Sequence, residues 1–167
     1  MMNGDCGLEQ VVVVGMHRSG TSLTASILHH LGISMGDDLL GAAPSNPHGH
    51  YEDLSFLELN IDILEQAGGN WKRPPSIPDI RKASDKLRTR IQATVDSRRT
   101  DAKWGFKDPR TSLTLPAYWP FLTGPIVVVC KRDPEDIAES LKRRDGLSRE
   151  AGVILARTYY NYVEQHL

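Results

Sequence analysis

Val11-Val12-Val13-Val14-Gly15-Met16-His17-Arg18-Ser19-Gly20-Thr21-Ser22 decides how this chain is read. Four β-branched residues in a row suit a buried strand. Gly15 and Gly20 bracket a tight loop, and Thr21-Ser22 opens a helix carrying Leu23, Ile27, Leu28 and Leu31 as its expected apolar side. Strand, loop and helix in this order are the context that a phosphate-binding G-x-x-x-x-G-K-[ST] loop requires. Here Thr21 stands where that pattern has lysine, and a cation appears inside the loop as Arg18. In nucleotide triphosphatases the lysine bridges the β- and γ-phosphates. Its replacement points to a phosphate ligand that is not a hydrolysable triphosphate.

Outward from the loop, strands alternate with helices. Leu54, Leu57, Ile61 and Leu64 have helical spacing, stopped by Gly68-Gly69, and residues 70–78 form a proline-rich connection. Asp79 is positioned to cap one long helix to residue 99, with Ile80, Ala83, Leu87, Ile91 and Val95 inward and a solvated Arg/Lys face outward. Lys103–Phe106 reads as a short strand, and a further short strand is expected near Ile33–Met35. Pro125–Cys130 reads as a core strand covered on both faces. Asp133-Pro134 then starts a helix that Gly146 ends, and Ser148 caps a last helix with Ile154, Leu155, Tyr159 and Tyr162 on its apolar side. The alternation implies an α/β three-layer sandwich with a mainly parallel sheet. Residues 1–10 are expected to be a polar leader, and 11–167 one domain.

At 167 residues the chain can bury a core, and a net charge of −1 gives no basic excess for nucleic acid. Cys6 and Cys130 are the sole cysteines, which suits a reducing compartment. The leader has no basic region and the following apolar run spans four residues, too short for a signal peptide or a membrane span. A cytoplasmic protein is the expectation.

Cations gather where such a fold places ligands, just past the carboxyl ends of its strands. Arg18 follows the first strand, Lys107 and Arg110 the strand near 105, and Arg132 the strand ending at Cys130. A ligand with several anionic groups is the natural guest. Arg132 and Ser140 lie eight residues apart, one at a strand end and one in the next helix.

At this point the motifs resemble a family. Gly15–Ser22 looks like the 5′-phosphosulfate loop of sulfotransferases that use 3′-phosphoadenosine-5′-phosphosulfate (PAPS). Val127–Ser140 is similar to their 3′-phosphate motif, and Asn46–Asp53 and Gly105–Arg110 resemble segments of a bacterial sulfotransferase-like branch. The resemblance implies the P-loop nucleoside triphosphate hydrolase-like sulfotransferase fold and sulfuryl transfer to a hydroxyl or amine of a small-molecule or carbohydrate acceptor, with no metal. It assigns His17, Arg18, Ser19, Gly20, Thr21 and Ser22 to the 5′-phosphosulfate, His17 mainly shaping the loop. Arg132 and Ser140 would hold the 3′-phosphate, and Lys107 the transferring group. Glu52 is the first candidate base, with His48 and His50 as rivals and capping of the helix near Leu54 as its structural alternative. The acceptor is expected near residues 41–53 and 68–78.

Trp71, Trp104 and Trp119 are expected to pack, and Lys142-Arg143-Arg144 suits a helix C-terminus without any ligand. The family carries a further strand and a late Arg/Lys/Gly segment after the 3′-phosphate helix, which this sequence lacks. That leaves a non-catalytic nucleotide-binding module as one alternative to the transferase; the other, from the same fold, is a P-loop kinase or NTPase with Asp108 as its magnesium candidate, disfavoured by Thr21 in the lysine position. Oligomeric state is not set by the sequence.

Overall fold

A computed structural model of the chain describes residues 9–43, 46–47 and 49–167. Cys6, His48 and most of the leader lie outside the described residues. The elements run β1 (Glu9–Gly15), α1 (Thr21–His30), α2 (Leu54–Gln66), α3 (Ile77–Lys86), α4 (Arg88–Ser97), β2 (Lys103–Lys107), α5 (Thr111–Tyr118), a 3-10 turn (Trp119–Phe121), β3 (Ile126–Cys130), α6 (Pro134–Asp145) and α7 (Arg149–His166).

The protein is mixed α/β around a small parallel sheet. The valine run of β1 is its middle strand, in the order β2-β1-β3, with Val12 beside Phe106 on one side and Val127 on the other. Alternation then sends Val11 and Val13 to one face and Val12 and Val14 to the other. The first pair packs with Ala25 of α1 and Met35. The second joins the larger core with α2 to α7, where the Phe56 and Phe106 rings stack 4.1 Å apart. Burying side chains like these contributes roughly 1.5–3 kcal/mol each. Helices on both faces leave the carboxyl ends of the strands, with the loops after Gly15, Lys107 and Cys130, at one end of the molecule.

Several helix signals act as their chemistry dictates. Asp53 accepts a hydrogen bond from the Ser55 N–H at 2.9 Å, and Ser148 caps α7 through the Ala151 N–H at 3.2 Å. Asp133 caps α6, Pro134 occupies its first turn, and Gly146 ends it at φ 68°.

Other expectations are corrected. The helix over 79–99 is two helices, broken at Leu87, and Ser76 rather than Asp79 is the N-cap. Packing of both pieces against α5 overrides a continuous apolar periodicity that carries no glycine or proline. Arg98 is not on a solvated face: it is buried and bonds Ser34, Asp37 and Asp101. In α2 the buried positions are Phe56, Leu59, Asn60, Ile63 and Leu64, with Leu54, Leu57 and Ile61 half-buried, a phase one step away from the expected one. Ser34 makes a single parallel bridge to Trp104 in place of a strand. In α7, Ile154 faces solvent. Leu23 and Ile27 of α1 and Leu31 just after it are exposed too, and among the described residues β3 is an edge strand with Ile126 exposed and its valines half-buried. Helix α5 had no signal at all, because seven of its eight residues are buried and four of those carry hydroxyls.

No helix among the described residues is long and apolar enough to cross a membrane.

Candidate active site

The loop after β1 is anchored at its root and open at its tip. The Gly15 N–H donates to Ser112 Oγ at 2.8 Å, and the Ser112 hydroxyl donates to the Gly15 carbonyl at 3.1 Å. Glycine is required there, since a Cβ would lie 2.6 Å from the Cys130 carbonyl oxygen. The chain then turns through Arg18 at φ 69° and Gly20 at φ 98°, with the Ser19 N–H on the Met16 carbonyl at 3.1 Å. Such a left-handed excursion in a non-glycine residue marks a backbone shaped for a purpose. Gly20 caps α1 with no side chain to offer, so the first-turn N–H groups of α1 are left for a ligand. Among buried polar atoms, His17 Nε2 and Ser19 Oγ have no hydrogen-bond partner. Orphaned donors and acceptors at a helix N-terminus are the mark of an anion site, and a phosphate or sulfate ester fits it.

In front of the loop lies a cleft of about 230 Å³. Its walls bring together the loop residues His17, Arg18, Gly20, Thr21 and Ser22 with Asn46, His50, Glu52, Pro109, Arg132 and Arg144. Residues after three strands therefore meet at the cleft, Arg18 and Arg132 as cations but Pro109 after β2, with Lys107 and Arg110 behind the wall. Ser19 is buried behind the loop, and Ser140 is reached through Arg18.

Lys107 is wholly buried at the end of β2, and its Nζ donates to Glu52 Oε1 at 2.6 Å and to Ser22 Oγ at 3.2 Å. Glu52 does not cap α2; Asp53 does that. Burial, then the neighbouring Asp108, pushes the Glu52 carboxyl above its usual range, against the pull of Lys107. Burial likewise lowers the Lys107 ammonium, opposed by Glu52. Burial thus weakens the charged form of both partners, and each is held by the other.

Behind the pair stands a buried scaffold that the sequence did not announce. Asp108 is held by the Arg110 guanidinium and N–H, each at 2.9 Å, and by Asn60 at 3.1 Å. Asn60 also bonds Thr111, Thr114 and Tyr118. Burial works against the Arg110 cation, but Asp108 and Glu52 outweigh it and raise its proton affinity.

The other end of the cleft is looser. Arg18 Nε donates to Ser140 Oγ at 2.8 Å, while Arg132 Nη1 donates to the Arg18 carbonyl at 3.3 Å and its Nε lies 3.5 Å from Asp136. Tyr160 fastens the Arg132 backbone on both sides, accepting from its N–H at 2.9 Å and donating to its carbonyl at 3.0 Å. Arg144, in the last turn of α6, also lines the cleft. Asp145 pairs with it at 2.6 Å, and its guanidinium sits 5.5 Å above the Trp71 ring. His17 packs on the same ring at 4.5 Å, where burial and then Arg110 hold its imidazole well below the usual range. His50 is lowered by burial and then Lys107. Trp104 is core and Trp119 packs half-buried against it, whereas Trp71 joins core to cleft.

The run Lys142-Arg143-Arg144 carried no hint of which cation turns inward, and Asn46 lay in a turn-rich loop without periodicity. No family model, curated protein or solved structure matches the chain.

Proposed function

We propose that the protein is a PAPS-dependent sulfotransferase of the P-loop type, moving a sulfuryl group to a hydroxyl or amine of a small-molecule or carbohydrate acceptor. The observation that carries the reading is the Lys107–Glu52 pair, 2.6 Å apart and joined through Ser22 to an anion-binding loop whose cation is Arg18. That arrangement couples a base to an electrophile site in one cleft, which an ordinary anion-binding loop does not need.

PAPS supplies an activated sulfuryl group whose bond to the 5′-phosphate oxygen breaks as the acceptor oxygen or nitrogen bonds to sulfur. Glu52 takes the proton that the acceptor loses, and its raised proton affinity makes it a stronger base than an ordinary carboxylate. Lys107 and Arg18 balance the negative charge that gathers on the leaving phosphate oxygen. The N–H groups of Gly20, Thr21 and Ser22 hold the 5′ end, with His17 supplying an orphaned polar atom from the cleft wall. Arg132, with Ser140 behind Arg18, holds the 3′-phosphate, and Arg144 adds a third cation to that end of the cleft.

A P-loop kinase or NTPase is less well served. Asp108, its magnesium candidate, is fully buried and its oxygens are engaged by Arg110 and Asn60. The test is calorimetry with 3′-phosphoadenosine-5′-phosphate against adenosine 5′-monophosphate and magnesium-ATP, alongside turnover of PAPS. The 3′-phosphorylated nucleotide is expected to bind at least tenfold more tightly than the monophosphate, about 1.4 kcal/mol. Equal affinities would overturn the reading. Tight binding without turnover for any acceptor would leave a nucleotide-binding module.

A further inference from the structure

A second hollow, of about 490 Å³, opens off the cleft, and Ser22 and Asn46 line both. One wall is α1, through Leu23, Ser26 and His30; the other is the loop that carries Asn46 and Tyr51. The loop wall is braced before any ligand arrives. Asn46 and Ala43 exchange backbone hydrogen bonds at 2.8 and 3.1 Å, and the Asn46 side-chain amide donates to the Gly49 carbonyl at 2.6 Å. Tyr51 is held at φ 55°, a left-handed conformation that a bulky residue rarely adopts. The turn divides two neighbours: Glu52 bonds the buried Lys107, while Tyr51 lines the hollow with its ring 5.7 Å from that of His29. Ser22, at the junction, accepts from the same Lys107 at 3.2 Å. The hollow therefore leads to the residues that handle the transferring group.

Its lining is uncharged. Among the described residues no Asp, Glu, Lys or Arg borders it, and α1 contains none, whereas the adjoining cleft holds Arg18, Arg132 and Arg144. Apolar side chains also run outward from it. Leu23 is 68% exposed, Ile27 one turn on 53%, and Leu31, just past the helix end, 73%.

We propose, on the sulfotransferase reading, that this hollow seats the acceptor, and that the acceptor is an uncharged alcohol with an apolar body. The hydroxyl lies at Ser22 and the body along Leu23 and Ile27. Its oxygen bonds to sulfur as the bond from sulfur to the 5′-phosphate oxygen breaks, and Glu52 takes the hydroxyl proton. A sulfate ester and 3′-phosphoadenosine-5′-phosphate are the products. A protonated amine would meet Lys107 and Arg18 at the junction and, along the hollow, no carboxylate. An acidic peptide or a uronic-acid sugar would find no cation there to pair with. A sugar without an apolar arm would leave Leu23 and Ile27 in water.

PAPS turnover with 1-octanol, ethanol, octylamine and methyl β-glucoside reads the choice, beside calorimetry of 3′-phosphoadenosine-5′-phosphate. The kcat/KM for 1-octanol should exceed that for each of the others at least about tenfold. A variant with Leu23→Gln and Ile27→Gln should lose the margin of octanol over ethanol, with circular dichroism and nucleotide affinity unchanged. In the parent loaded with the nucleotide, 1-octanol should shift the methyl NMR signals of Leu23 and Ile27, and ethanol at equal concentration should not. No turnover of octanol, no margin for it, a margin that survives both substitutions, or methyl signals that ignore it would each overturn the acceptor assignment while nucleotide binding stands. Equal affinity for 3′-phosphoadenosine-5′-phosphate and adenosine 5′-monophosphate would instead sink the sulfotransferase reading, and the acceptor with it.

Discussion

The two ends of the cleft are built on opposite plans. At one end Lys107 and Glu52 are 0% and 7% exposed, already bonded to each other and backed by Asp108, Asn60 and the hydroxyls of α5. At the other end Arg132 is 43% exposed, and its pair with Asp136 is a surface contact of small worth. The first end is fixed before any ligand arrives; the second has cations waiting on weak partners that a phosphate can displace. Such a division suits a transferase, in which the reacting atoms need rigid placement and the nucleotide must enter and leave.

The largest expected effects therefore fall on the buried end. Glu52→Gln keeps the shape and removes the base, so kcat should fall roughly 10²–10⁴-fold while affinity for 3′-phosphoadenosine-5′-phosphate stays within about twofold. Lys107→Ala should lower kcat and also destabilise the fold by about 3–5 kcal/mol, because Glu52 is left as a buried charge without its partner. Urea denaturation of both variants separates the two effects. If Lys107→Ala unfolds at the same denaturant concentration as the parent, the view of this end as a preassembled pair is wrong.

Next comes Arg132. Its truncation should weaken 3′-phosphoadenosine-5′-phosphate about tenfold, less than a buried anchor would cost, and leave adenosine 5′-monophosphate unchanged. Loss of affinity for both nucleotides alike would move Arg132 from the 3′-phosphate to the 5′ side. Arg144→Gln should have a smaller effect, a few-fold at most, since Asp145 already neutralises part of its charge. Calorimetry on the same two ligands reads both.

How far the sequence foretold this contrast depends on what kind of signal each part leaves. Gly15, Arg18 and Gly20 sit in a strand–loop–helix context that local chemistry specifies, and Asp133-Pro134 with Gly146 marks both ends of α6. Those parts were legible. Three-strand convergence was legible as well, because strands of one parallel sheet deliver their loops to one end. Asn60 was not: an asparagine in a helix of Leu and Ile has no periodicity that distinguishes a buried hub from a surface residue. Nor was Ser112, whose two hydrogen bonds to Gly15 span 97 positions in the chain. The breadth of the α1 apolar stripe was readable, but its exposure was not, since periodicity shows which residues share a side and never what covers it.

His17 offers the smallest and sharpest comparison, because it belongs to the open loop yet is itself buried, against Trp71 and Tyr159. Its imidazole is held neutral by burial and then by Arg110, so in the folded state it binds a proton well below pH 6.5, its ordinary midpoint. The unfolded chain takes up that proton as pH drops through about 6.5, and the folded chain does not, so stability must fall on the acid side. One such group sets a slope of at most about 1.4 kcal/mol per pH unit. Urea unfolding at intervals from pH 7.5 to 5 should show the decline, with His50 and His166, both also lowered by burial, adding their shares. His17→Gln should remove about one proton's worth of it and leave the rest. An anion in the loop should act in the same direction as the substitution. Inorganic phosphate or 3′-phosphoadenosine-5′-phosphate beside Nε2 favours the protonated ring, raises its midpoint in the folded state, and so flattens the decline for the parent but not for His17→Gln. A slope that is the same in parent and variant, with and without phosphate, would mean that His17 neither titrates between the two states nor faces the ligand.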